Sequence, residues 1–70
     1  MDEALAEYKE ALRLNKDSAT AHSNLGGGLA DKGLVDEAIA EVREAIRLDK
    51  ELPEAHSNLG NQLHLKGQVD

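Results

Sequence analysis

The chain repeats itself every 34 residues, and that period constrains its fold more than any other feature. Shifted by 34, Ala21-His22-Ser23-Asn24-Leu25-Gly26 falls on Ala55-His56-Ser57-Asn58-Leu59-Gly60, and Asp2-Glu3-Ala4 falls on Asp36-Glu37-Ala38. Comparing residues 2–36 with 36–70 gives 35 pairs, of which 21 are identical. Most of the others are conservative, as in Leu5 with Ile39, Lys9 with Arg43 and Leu12 with Ile46. A fixed period of this size marks a chain built by stacking one supersecondary unit.

Each period holds two helical patterns. In the first, Ala38, Val42, Ala45 and Ile46 recur at i, i+4, i+7 and i+8, which is one stripe of an α-helix. Ile39 and Leu48 widen that stripe. Asp36 and Glu37 open this helix while Arg47 and Lys50 close it, in agreement with the helix dipole. Ala4, Tyr8, Ala11 and Leu12 copy the pattern one period earlier. The second pattern has Ala21, Leu25 and Leu29, then Ala55, Leu59 and Leu63, each spaced by four. Pro53 suits a first helical turn, where its missing N–H is no loss. Gly33 and Gly67 stand where a helix end calls for a left-handed residue. The spacing therefore predicts four helices, over 2–15, 19–32, 36–49 and 53–66, with short links that make neighbours antiparallel. No strand is predicted.

Composition sets the class of function. Seventy residues make one small domain or a piece of a larger one. Without cysteine there is no disulfide and no thiolate metal site, and a core of Leu, Ile, Val and Ala this size rarely contributes more than ~3–5 kcal/mol. A net charge of −6 argues against nucleic acid, whose phosphates call for clustered Lys and Arg, and against an anionic membrane surface. The apolar runs are too short to cross a bilayer. Met1-Asp2-Glu3 opens the chain without the basic and apolar regions of a signal peptide. The expectation is a soluble, acidic, helical module, with the cytoplasm the favoured compartment.

The period, together with Leu25-Gly26, Leu29, Gly33, Ala38 and Ala45, resembles the tetratricopeptide repeat, in which a helix A is followed by a helix B. The resemblance covers essentially the whole chain. It implies an all-α, right-handed superhelical segment: a helix B over 2–15, a full repeat over 19–49 and a helix A over 53–66. Some positions depart from the family pattern. His22 and His56 replace an aromatic residue early in helix A, and Lys16 and Lys50 replace the proline after helix B. Leu29, Leu63 and Val42 stand where bulky aromatics are usual, and only Tyr8 keeps one. Weaker packing is the expected result.

Gly26 and Gly60 lack a Cβ and so admit a close approach of the partner helix B, as Ala38 and Ala45 do from the other side. Gly27 and Gly28 have no such place in the family pattern and are expected to soften their helix. Terminal units of a repeat array normally carry a polar cap, and none is evident here, so the chain reads as an excerpt of a longer array. Chains are expected to self-associate through Tyr8, Leu12, Leu59 and Leu63, most simply head to tail, with a two-fold or swapped dimer as the competing arrangement.

No catalytic constellation is present. Ser18, Ser23 and Ser57 lack a plausible base and a nucleophile-elbow context, and Gly26-Gly27-Gly28 lies within a helix rather than after a strand. Carboxylate pairs such as Glu37/Glu41 follow helix-surface spacing. His56 and His64 are separated by eight residues, about 80° around the helix and ~12 Å along it, so they do not chelate one ion. His22 and His56 are expected to fill core or rim space, with acid mildly destabilising through lost packing. No cofactor and no metal site is expected.

The resemblance places the A helices along a concave groove. That maps the groove onto Thr20, Ser23, Asn24, Gly27, Ala30 and Asp31 of one helix, and onto Glu54, Ser57, Asn58, Asn61, His64 and Leu65 of the other. Asn24 and Asn58 recur in register, and each amide offers both a donor and an acceptor to an extended peptide. Asn24, Asn58, Ser23, Ser57, Asn61 and His64 are thus the candidate peptide contacts. The plainer role for the two asparagines is hydrogen bonding to a neighbouring helix or to water. The run Ala-His-Ser-Asn-Leu is similar to repeats of the O-linked N-acetylglucosamine transferase arm, which adds a reading as the recognition arm of a larger enzyme. The carboxylate clamp of chaperone-tail binders is missing its cations here, so a basic or neutral peptide suits the charge better. The expected partner is a protein or extended peptide, or another copy of the chain.

Overall fold

The computed structural model describes residues 2–69, and these form four helices with no strand among them. They are α1 (Asp2–Leu14), α2 (Ala19–Asp31), α3 (Val35–Leu48) and α4 (Pro53–Val69). The links are short, so each helix turns back on the one before. α2 and α3 form the most extensive pairing; α1 lies on α2, and α4 lies on both α3 and α2. The result measures 34 × 29 × 14 Å along its principal axes, with α2, α3 and α4 packed against one another as a triangle. No helix of the described residues is long and apolar enough to cross a membrane.

Local chemistry explains most of the boundaries. Ser18 caps α2 by accepting the Ala21 N–H at 3.1 Å, satisfying one of the orphan donors of the first turn. Gly33 ends α2 with φ +84°. Its N–H donates to the Ala30 carbonyl at 2.9 Å and the Leu34 N–H donates to Leu29 at 2.9 Å, the paired bonds of a Schellman turn. Gly67 does not repeat this role. α4 runs through it to Val69 without positive φ, so the expected stop at 66 is corrected to a longer helix. Residues 49–52, by contrast, turn before Pro53 opens α4. On the solvent side, Arg13 pairs with Glu10 at 2.6 Å and Arg47 with Glu44 at 2.5 Å, one turn apart in equivalent places. The guanidinium beside each carboxyl holds Glu10 and Glu44 below the usual carboxylate range.

The core is thin and divided. One cluster joins Leu5, Leu25, Leu29 and Ala38, with Tyr8 and Leu12 packed against it. A second joins Val42, Ala45 and Ala55, flanked by Ile46, Leu52 and Leu59. Four of the nine buried apolar residues are alanines, so helix proximity rather than side-chain bulk fills the space. Gly26 shows how. A Cβ there would collide with Val42 Cγ2 and sit 3.1 Å from the Ala38 carbonyl oxygen. Gly28 belongs to the same design and is not a soft spot. A Cβ at that position would lie 2.8 Å from Leu5 Cδ2 and 3.1 Å from the Tyr8 ring, where α1 crosses α2. The sequence pattern also missed Gln62, which is 2 % exposed; its Oε1 is buried without a partner.

Candidate functional site

Two surfaces hold the residues singled out by the sequence, and the structure treats them differently. The first is the polar row of α2 and α4. Asn24, Ser57, Asn61 and His64 are exposed on it. Ser23 is not: at 1 % exposure it is a core residue, which removes it from the candidate peptide contacts. Asn58, half-buried, donates from Nδ2 to Ser23 Oγ at 3.0 Å and to the Ser23 carbonyl oxygen at 3.2 Å. This asparagine therefore clamps α4 to α2. Gly27 lies beside the clamp, where a Cβ would sit at an ordinary contact distance of 3.8 Å from Asn58 Nδ2. Of the remaining groove positions, Thr20, Asp31, Glu54 and Leu65 are exposed, while Gly27 and Ala30 are half-buried.

The second surface comprises the outer faces of α4 and α1, where equivalent residues of one period sit in unlike surroundings. Leu29 is 5 % exposed and its counterpart Leu63 is 45 % exposed. Gly26 is buried under α3, whereas a Cβ at Gly60 would meet nothing within 4 Å. Ser23 is buried and Ser57 is exposed. On α1 the contrast runs the other way round the molecule: Ala38 and Ala45 are both fully buried, yet Ala4 and Ala11 are exposed. Leu63 also lines a shallow cleft between α3 and α4, with Ile39, Ala40 and Arg43.

The four residues expected to mediate self-association divide accordingly. Leu63 is open, but Tyr8, Leu12 and Leu59 are half-buried against their own chain's core. The open stripe of α1 is instead Ala4 and Ala11, which look too small to notice in a sequence.

The histidines repeat this asymmetry. His22 Nδ1 lies 2.8 Å from Glu41 Oε1, and Nε2 lies 3.0 Å from the Lys16 carbonyl oxygen. Both partners are acceptors. The ring thereby ties α2 to α3 and to the link before α2. His56 makes the equivalent bond to the Lys50 carbonyl oxygen at 2.6 Å, and its ring is exposed. Among the described residues, no three His, Asp or Glu side chains are grouped to hold a metal.

No curated protein matches the chain. The family model described as TPR repeat matches residues 1–27 and again residues 29–67. Its two matches meet inside α2, and together they cover nearly all of the 70 residues, each spanning helices that pair as the period requires. With its 34-residue period and its glycine-seated helix hairpin, the chain belongs to the tetratricopeptide repeat family.

Proposed function

We propose that the chain is a non-catalytic interaction scaffold that takes an extended peptide of a partner protein along the polar row of α2 and α4. Tetratricopeptide repeats generally mediate protein–protein contacts, and this reading names the surface and the kind of partner. One observation carries it: Asn24, Ser57, Asn61 and His64 are exposed on two helices that the Asn58–Ser23 clamp holds together. A neutral or basic peptide titrated into the labelled chain is expected to shift the side-chain amide resonances of Asn24 and Asn61. An unchanged spectrum at millimolar peptide would reject the reading.

The side chains of this row set the kind of peptide. These groups suit the backbone of an extended peptide of neutral or basic character. With Ser23 buried and Asn58 engaged, the row is short, and affinity is correspondingly weak. The transferase-arm reading draws on the Ala-His-Ser-Asn-Leu run alone.

A further inference from the structure

We infer that the junction between α3 and α4 is built to part, with Gln62 as the residue that loosens it, so that α4 lifts from α2 and α3 while those two stay paired. This conformational step goes beyond the function proposed above and is tested without a peptide. Two junctions of the molecule are equivalent by a shift of 34 residues: α1 with α2, and α3 with α4. At the first, Gly28 leaves its place to its neighbours. A Cβ there would lie 2.8 Å from Leu5 Cδ2 and 3.1 Å from the Tyr8 ring, so an aliphatic and an aromatic side chain close the contact. At the second, the same three places hold Gln62, Ile39 and Val42. A glutamine stands for the glycine and a valine for the tyrosine, which brings an amide into a junction that its counterpart closes with apolar groups.

That amide is covered but not satisfied. Among the described residues α4 packs on α3 and α2 alone, so Gln62, at 2 % exposure, is buried by those helices. Its Oε1 has no hydrogen-bond partner among them. A buried acceptor without a donor carries its full desolvation penalty. Water reaches Oε1 once α4 lifts, so the penalty falls on the closed form and favours the open one. What opposes it includes Ala55 in the second apolar cluster, the two Asn58 bonds to Ser23, and the Lys66–Asp36 pair at 2.7 Å, an exposed pair of a kind that contributes little. Parting here leaves intact the α2–α3 pairing, the most extensive in the molecule, in which Gly26 seats Val42. The consequence reaches the polar row. α2 carries Asn24 while α4 carries Ser57, Asn61 and His64. Each opening takes the row apart, and the apparent affinity for anything spanning it falls with the closed fraction.

Amide hydrogen exchange of the free chain, read residue by residue, is the test, because local opening and global unfolding give different protection. In the native chain, residues 56–66 of α4 are expected to be protected roughly tenfold less than residues 25–31 of α2. Gln62→Met keeps the length of the side chain and removes the orphan oxygen. It is expected to raise the protection of α4 by roughly tenfold. Gln62→Glu keeps the shape and makes the buried group more polar, and is expected to lower that protection. Equal protection of α4 and α2 in the native chain would overturn the inference, since no separate opening would then exist. A Gln62→Met chain whose α4 exchanges as fast as the native one would overturn it too. So would a gain in protection from Gln62→Glu, which would place the effect in shape rather than in polarity. None of these outcomes touches the peptide reading, which is decided by the titration described above.

Discussion

Three consecutive glycines in α2 share one chemistry and have three different jobs. Gly26 is a seat for α3, Gly28 a crossing point for α1, and Gly27 borders only the Asn58 amide at an ordinary contact distance. A methyl at Gly26 meets the backbone of α3, which is fixed by its own hydrogen bonds. Gly26→Ala is therefore expected to cost ~1–3 kcal/mol through overpacking, offset in part by the ~1 kcal/mol that alanine returns to a helix. Gly27→Ala keeps the gain without the clash. Thermal unfolding followed by circular dichroism is expected to rank Gly27→Ala above the native chain and Gly26→Ala below it, with a rise of about 4–8 °C per kcal/mol for a chain this size. The histidines make a similar pair. His22 is held by two acceptors and its side chain is 14 % exposed, while His56 has one such bond and an exposed ring. Truncating a largely buried ring removes more packing than truncating an exposed one, so His22→Ala is expected to destabilise by about 1 kcal/mol more than His56→Ala. Equal losses in urea unfolding under monomeric conditions would refute the bridge.

At the scale of the element, equivalent sequence does not guarantee equivalent structure. α2 and α4 share Ala-His-Ser-Asn-Leu-Gly and a terminal Lys-Gly, yet α2 stops at its glycine and α4 continues through it. The turn at Gly33 is held from its far side. Leu34 donates back to Leu29 and leads into α3, which then packs on α2 and fixes the turn. Gly67 has no such neighbour among the described residues, and its backbone remains helical. Gly33→Ala is expected to cost ~1–2 kcal/mol, the penalty of a left-handed L-residue. Gly67→Ala is expected to stabilise, by up to ~1 kcal/mol. The two variants, compared by urea unfolding, test whether the cap belongs to one period only. The helix types, their number and their pairing are legible in the sequence because apolar spacing and the 34-residue period carry them. The end of α4 is not: its Lys-Gly pair copies that of α2, yet the backbone at Gly67 stays helical. The clamp from Asn58 to Ser23 is legible only as an alternative, since an amide in a repeating place serves a neighbouring helix or a ligand equally well on paper. Gln62 gives no signal at all: a glutamine one period after a glycine reads as surface, and only the packed helices show it buried.

For the molecule as a whole, the governing quantity is how little of it is interior. A core rich in alanine, with nine buried apolar residues, has few contacts to spare. A chain of this sort gains stability from whatever binds its folded state in preference to its unfolded state, by mass action. A peptide held along the polar row of α2 and α4 is such a binder, so the midpoint of thermal unfolding is expected to rise with the concentration of a neutral or basic peptide. Charge sets the salt dependence of this rise. With −6 on the chain, attraction to a basic peptide is screened over ~10 Å at 0.1 M salt but over ~30 Å at 0.01 M. The rise is therefore expected to be larger at the lower salt. A midpoint that stays flat with added peptide at both salts would place all of the stability within the chain's own four helices, and the polar row would then contribute nothing to holding it folded.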